Sequence, residues 1–516
     1  MLPGTLYSED REYTGAMPPD VELAVTPTRC GYKIQVSAKT TPLRFLRLTW
    51  RKSFAPQTRF LGDAWERTYG DSQWRTMDSG RAMPWYFLAR DGECTEGFGV
   101  KVRPGAFALW YATPQTVTLW LDLRCGTRGV LLNGRTLDVA EVIVQEFHDC
   151  SAFEAGCRFC QLLCDDPILS PTPVYGINDW YYSYSRSTAE TILADSAVLG
   201  RQTADLKNRP FSVVDGGWTQ GESGSCNRPN SRFQDMAALA SGIRERGCRP
   251  GIWFRPLHNR NEKIQDSWRS SRDPGFLDPS VPEVLALVQN NIRLFAQWGY
   301  ELIKHDFSTN DSFGCWGFEM HPWPASGKWR FSDQGRTSAE IITALYRAIH
   351  EADHRMLILG CNTIGHLGAG LMHLARIGDD TSGRSWERTR RMGVNTLAFR
   401  MMQHKAFFDI DADCAGVTEQ IPWKMNRQWL RLLSESGTPL FASILPNLLD
   451  AAQQEELKRY WAAASEQRQI AVPLDWEQDT CPSRWLLNGK EVEFDWYDDQ
   501  ADEQDFIDPK VPVWSK

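Results

Sequence analysis

Two rhythms of apolar and polar positions divide the chain. Up to about residue 170 they alternate in short runs, as in Val21-Glu22-Leu23-Ala24-Val25 and Tyr32-Lys33-Ile34-Gln35-Val36, and less strictly over 107–111 and 116–123. Period two, with Gly, Pro and Asn between the runs, predicts half-covered strands, and a β-sandwich is their simplest arrangement. Asn133-Gly134 predicts a tight hairpin. A helix is expected over 151–164, where Cys157, Cys160 and Cys164 share one face and read as buried small side chains in preference to metal ligands. From Pro171 onward, short apolar runs at 174–179, 211–218, 251–256, 302–307, 356–361, 374–379, 407–413 and 439–444 alternate with amphipathic segments such as 284–295 and 338–349. That alternation predicts β/α units on a parallel sheet, and eight strands close a barrel. A further helix is expected over 451–466, then a small β element from Ile470 with Trp476, Trp485 and Trp496, then a solvated acidic end over 498–508.

The expected fold is therefore multidomain α/β. An N-terminal β-sandwich with a linker helix occupies 1–168, a (β/α)8 TIM barrel 169–468, and a small C-terminal β domain with an acidic tail 469–516.

Composition narrows the function classes. Lys plus Arg number 57 against 65 Asp plus Glu, a net charge of −8, and no basic patch of the kind a nucleic-acid binder shows is visible. Neither a leader pattern nor an apolar run of membrane-spanning length is seen, which predicts a cytoplasmic protein without a membrane partner. The 13 cysteines are odd in number and scattered, consistent with reduced thiols. No His/Cys cluster completes a zinc site. The 22 tryptophans fit sugar-ring faces and ordinary cores equally well.

Candidate chemistry lies at the strand ends. Residues two apart on a strand point the same way, so Leu302, Lys304 and Asp306 share a face and a core layer gives way to a cation and a carboxylate. In a barrel the C-terminal strand ends carry the active site. The other runs end in Asn178, Asp179 and Trp180; Asp215 and Trp218; Trp253 and Arg255; Cys361 and Asn362; Arg376, Asp379 and Asp380; and Asp409, Asp411 and Asp413. Such a lining suits a sugar, with two carboxylates from different strands as nucleophile and acid/base. Asp306 is the candidate nucleophile, because Lys304 beside it would keep it ionised. Asp379 is the candidate acid, because its neighbour Asp380 would favour its proton. Read singly, Asp306 and the Asp379-Asp380-Thr381-Ser382 stretch serve equally well as helix caps. Asp409, Asp411 and Asp413 suggest a calcium loop, but that motif's glycine and distal glutamate are missing.

Over roughly 55–475 the order of segments resembles the retaining α-galactosidases of clan D, glycoside hydrolase families 36 and 27. Lys304-His305-Asp306 matches the strand-four motif whose Asp is the nucleophile, and Gly378-Asp379-Asp380-Thr381-Ser382 is similar to the strand-six segment whose first Asp is the acid/base. Asn178-Asp179-Trp180, Asp215-Gly216-Gly217-Trp218, 251–256, Cys361 and Asp411-Ala412-Asp413 resemble further strand-end motifs. Residues 61–71, with Trp65, look like the sandwich loop that reaches the active site. The resemblance implies a retaining exo-α-glycosidase of α-galactosidase type that acts on an oligosaccharide or glycoconjugate. Asp306 and Asp379 would be catalytic, and Lys304, Asp215, Trp180, Trp218, Trp253, Cys361, Asn362, Arg376, Asp413 and Trp65 would bind substrate, with no metal or organic cofactor. An α-N-acetylgalactosaminidase and a transglycosylase are the alternatives on this scaffold, and a non-catalytic sugar-binding protein is the rival from another class. Family members often form homo-oligomers, though no residue pattern here specifies it.

Three departures accompany the match. Gly216 stands where the family has a second Asp that grips galactose hydroxyls, Arg255 replaces a Glu, and the fifth-strand loop reads Asn362-Thr363-Ile364-Gly365. Losing one hydrogen-bonding carboxylate would cost about 1–3 kcal/mol toward the usual sugar. These departures keep an N-acetylated, modified or differently configured glycoside open as the alternative to galactose.

Overall fold

The computed structural model describes residues 4–9, 11–220, 228–261 and 263–497, so the acidic stretch over 498–508 lies outside the described residues. Every one of the eight apolar runs forms a strand. They are Tyr175–Asn178, Phe211–Val214, Arg249–Phe254, Leu302–His305, Leu357–Gly360, Leu374–Arg376, a seventh in two pieces (Asp409–Asp411 and Cys414–Val417), and Leu440–Ile444. All pair in parallel. Asp409–Asp411 pairs with the sixth strand, while Cys414–Val417, only two residues on, pairs with the eighth, which itself pairs with the first. One stretch of chain thus joins both edges of the sheet, and the barrel closes. The kink falls at Asp413, whose φ of 73° is left-handed.

The helices between strands carry the signals expected of them. Pro282–Trp298 starts on a proline and ends at Gly299 with φ 99°; Ser338–Ala352 has a Thr337/Glu340 capping box; Ala451–Ala464 has one from Asp450 and Gln453.

Before the barrel, two six-stranded antiparallel sheets form. One runs in the spatial order Glu12–Thr14, Thr5–Ser8, Leu43–Arg51, Thr116–Asp122, Phe107–Thr113, Met83–Pro84; the other runs Val21–Thr28, Gly31–Ala38, Thr136–Phe147, Cys94–Val100, Tyr86–Asp91, Arg59–Gly62. Rings from the two sheets touch, with Phe87 and Phe98 edge-on to Trp110 at 6.0 and 6.5 Å. Asn133-Gly134 makes a turn with both residues left-handed, but no hairpin: Thr116–Asp122 lies in the first sheet and Thr136–Phe147 in the second, so the chain crosses between sheets there. The helix Ala152–Leu163, capped by Ser151, buries Cys160 and has Cys164 at its end. A three-stranded sheet, Val472–Pro473, Arg484–Leu487 and Lys490–Glu493, follows the barrel and buries Trp476, Trp485 and Trp496. Among the described residues no helix is long and apolar enough to cross a membrane.

His305, between Lys304 and Asp306, points the other way. It is fully buried against Tyr346, neither ring nitrogen has a described hydrogen-bond partner, and burial pushes its pKa down to about 3. Unfolded, it takes up a proton below pH 6.5 that the folded chain refuses, so it subtracts stability as pH falls from 6.5 toward 3. His305→Leu is expected to unfold at higher urea at pH 7. Its advantage over the wild type should grow by roughly 1.4 kcal/mol per pH unit below about 6, measured by urea denaturation at pH 7, 6 and 5. A constant difference would contradict a neutral buried imidazole.

Candidate active site

At the C-terminal end of strand four the chain turns sharply, because Phe307, directly after Asp306, is left-handed with φ 62°. The Asp306 carboxylate receives three donors: the Trp253 indole N–H to Oδ2 at 3.0 Å, and the backbone N–H groups of Phe307 (2.7 Å) and Asn362 (3.1 Å) to Oδ1. Asp306 is not a helix cap, since the next helix, Ser308–Phe313, has Phe307 at its N-cap position and no side-chain cap.

Lys304 pairs with a carboxylate other than Asp306. Its Nζ donates to Asp215 Oδ2 at 2.6 Å, an oxygen that also accepts from Asn178 Nδ2 at 2.5 Å, while Asp215 Oδ1 accepts from the Gly216 N–H at 2.7 Å. Burial would lower the Lys304 pKa, but the Asp215 carboxylate, with Asp413 and Cys361 also acting on it, holds it well above 10.5. Strand two thus claims the cation that sequence spacing assigned to its own strand neighbour. The Asp215 backbone N–H donates to Asp179 Oδ1 at 2.7 Å; burial and Asp215 push Asp179 up to about 6.

Strand six supplies the opposite wall. Arg376 reaches Asp413 Oδ2 at 2.9 Å, Asp380 Oδ1 at 3.2 Å and Cys361 Sγ at 3.5 Å. Asp413, at the strand-seven kink, also accepts from Thr381 N–H at 2.9 Å and from the Tyr181 hydroxyl. Asp379 turns away from these groups: Arg67 Nη2 lies 3.2 Å from its Oδ1 and Arg388 Nη2 2.8 Å from its Oδ2. Both of its oxygens are held by guanidinium groups, while Asp380 meets Arg376 and, at 3.8 Å, Arg67 through Oδ1 alone. The Asp380 side chain is 39% exposed against 23% for Asp379. Burial pushes the Asp380 carboxyl up, and Arg376, Arg67 and Lys304 more than offset it, so its pKa sits below the ordinary 3.8. Strand six ends at Arg376, and the chain bends at Asp379 before Asp380 returns within ion-pair reach of Arg376.

The loop over 61–71 leaves the N-terminal sheets and splices onto strand six. Thr68 pairs in parallel with Gly378, its N–H bonding Ile377 O at 2.9 Å while the Asp379 N–H returns to Thr68 O at 3.0 Å. Asp63 pairs with Arg400 at 2.5 Å below the splice. The splice delivers Glu66 and Arg67, which the sequence did not single out. Glu66 accepts from Asn362 Nδ2 at 2.5 Å, from the Gly317 N–H at 3.0 Å and from the Tyr69 hydroxyl. Trp65, expected in the pocket, is instead 1% exposed and packs on Trp85 and Phe107. Trp218 is likewise not a pocket residue: it is fully buried against Phe295 and Trp298. Asn362 ties Glu66 to strand four, its Oδ1 accepting from the Asn310 N–H at 3.1 Å, so both ends of its amide are engaged.

Half-buried rings complete the mouth. Trp180 lies 5.9 Å from Tyr184, Trp253 6.3 Å from Phe307, and Phe307 5.8 Å from Trp316, which Arg67 overlies at 6.0 Å. The mouth therefore mixes half-buried rings with carboxylates, guanidinium groups and a lysine. Among the described residues no group of three or more His, Cys, Asp and Glu could hold a metal ion.

No protein-family model matches the sequence, and comparison with curated proteins gives no match. Solved structures do match. An α-galactosidase from Thermus thermophilus, in complex with p-nitrophenyl α-D-galactopyranoside, superposes with a TM-score of 0.63 at 18% identity, over 91% of this chain and 99% of that one. A family 36 α-galactosidase from Geobacillus stearothermophilus, in complex with raffinose, gives 0.60 at 13% identity over 91% and 69%. A family 31 dextranase from Flavobacterium johnsoniae, with isomaltotriose, gives 0.54 at 11% over 93% and 68%. At these identities the likeness establishes the fold, a barrel with attached β sheets.

Proposed function

We propose that the chain is a retaining exo-α-glycosidase that removes a terminal α-linked galactose or modified galactose. The observation that carries this is the Asp306 carboxylate, held by three donors at the barrel mouth among half-buried rings and charged groups. Mixed linings of this kind suit a sugar, which is apolar on one ring face and hydroxyl-bearing at its edges. The solved structures it resembles include α-galactosidases in complex with galactosides, which agrees with this substrate class.

In the first step Asp306 attacks the anomeric carbon, the glycosidic C–O bond breaks, and a carboxylic acid on strand six gives its proton to the departing oxygen. In the second, the resulting carboxylate takes a proton from water, water attacks the anomeric carbon, and the ester bond to Asp306 breaks. We assign the proton transfers to Asp380 in place of Asp379. Asp379 has both oxygens on arginines, whereas the more exposed Asp380 meets Arg376 and Arg67 through Oδ1 alone. Lys304, Asp215, Arg376 and Asp413 would grip hydroxyls, with Trp180 and Trp253 against the ring.

A panel of p-nitrophenyl glycosides, with the product followed by NMR, tests the class. Turnover of an α-galactoside or a close relative with the α-anomer appearing first is expected. An initial β product would mean inversion and refute the double displacement; turnover of β-glycosides alone would refute the α class.

A further inference from the structure

A cavity of about 340 Å³ lies outside the barrel, between strands one and eight and the helices Ala189–Gln202 and Ala451–Ala464. In a β/α barrel the helices form an outer ring over the strands. Here the cover is incomplete. Ile177 and Ile444, which line the cavity from the two strands, are only half-buried, and Val198 at its rim is 44% exposed. Apolar openings of this size, with a few polar groups converging on them, are what small ligands occupy.

The polar groups are two carboxylates. Asp179 is 5% exposed; it accepts the Asp215 N–H at 2.7 Å and the Ser183 hydroxyl at 3.4 Å. Asp195, half-buried on the helix, accepts the Tyr182 hydroxyl. Neither has an ion-pair partner among the described residues, and burial, opposed by no cation, leads the rise of both to about 6. The buried carboxylates of Asp63, Asp122, Asp215, Asp311 and Asp413 differ, for each holds an arginine or a lysine. Arg201, also on the cavity, is exposed and makes no ion pair among the described residues. A carboxylate withdrawn from water calls for a cation, and here the protein does not supply it.

We propose that the cavity binds a small organic ammonium, with its apolar body against Ile177, Val198 and Leu448 and its charged head on Asp195. An anion would meet two acids, and a neutral molecule of the same shape would leave them without a counter-charge. The proposal does not depend on the glycosidase function. An occupant would nevertheless sit close to it, because Asp179 is one hydrogen bond from Asp215, the partner of Lys304.

The test is isothermal titration of the full chain at neutral pH with benzylamine and with benzyl alcohol, its neutral counterpart. Benzylamine is expected to saturate at one site per chain and to bind at least about tenfold more tightly than the alcohol, as a hydrogen bond to a charged group allows. Asp195→Asn keeps the shape and can still accept the Tyr182 hydroxyl, and it should erase that difference. Ala194→Trp, on the exposed side of the cavity, should block both ligands. Melting temperatures show that the variants fold. No saturable binding, equal affinity for amine and alcohol, or benzylamine binding that both variants leave unchanged, as expected if it sat on the carboxylates of the barrel mouth, overturns the site.

Discussion

Asp306→Asn is expected to abolish turnover of every substrate that the wild type cleaves, by at least about 10³-fold in kcat, while leaving sugar binding in place. The amide cannot form the glycosyl ester, yet it keeps the shape of the carboxylate. Its oxygen can accept the N–H groups of Phe307 and Asn362, and its NH₂ would then face the Trp253 N–H, now a donor without an acceptor. A modest loss of stability is the structural consequence, and the catalytic loss should far exceed it. Kinetics and isothermal titration with the best glycoside separate the two. Near-normal turnover would remove Asp306 from the reaction.

The second large effect distinguishes neighbours. Asp380→Asn is expected to cut turnover of natural sugar leaving groups by about 10²–10⁴-fold, and that of aryl glycosides, whose leaving groups need no proton, far less in the first step. Added azide should restore the second step, because it attacks without giving up a proton. Asp379→Asn should show no such dependence on the leaving group. Its signature is stability: nearly buried Arg388 loses its anion and Arg67 keeps only Asp380, at 3.8 Å, at a cost on the order of 3 kcal/mol. The pH dependence follows from the same surroundings. With the Asp380 pKa held below 3.8 by Arg376, Arg67 and Lys304 against burial, the protonated fraction rises as pH falls. Turnover of sugar leaving groups should therefore increase from pH 7 to pH 5. Leaving-group dependence in Asp379→Asn, with none in Asp380→Asn, would return the role to Asp379.

These neighbours also show how far the pattern of residues reaches. The barrel was legible because each strand is an apolar run ending in a polar group, and the same period-two logic placed Lys304 and Asp306 together. Past Arg376 the strand ends and that logic stops; the neighbouring carboxylate and the motif position both pointed to Asp379, and only the ion pairs across the barrel mouth distinguish it from Asp380. What spacing cannot reveal is which side chain a charge meets across the barrel, and so Lys304 was paired with Asp306 when its partner is Asp215 on strand two. Tryptophan posed the same problem. Trp180, Trp218, Trp253 and Trp65 look alike in sequence, yet Trp180 and Trp253 are half-buried at the mouth while Trp218 and Trp65 are core residues. The contribution of Glu66 and Arg67 depends on the splice of Thr68 onto Gly378, a pairing between residues 310 positions apart that no local pattern encodes. Asn133-Gly134 forms its turn as its chemistry dictates, but turn chemistry does not say to which sheet the next strand belongs.

The central claim is that Asp306 becomes covalently bound to the sugar. The direct measurement is labelling with a 5-fluoro glycosyl fluoride of the glycone that the panel selects, followed by peptide mass spectrometry. One glycosyl adduct on the peptide containing Asp306, formed as activity disappears and absent in Asp306→Asn, is the predicted result. An adduct on another carboxylate, or an active protein that never forms one, would contradict it.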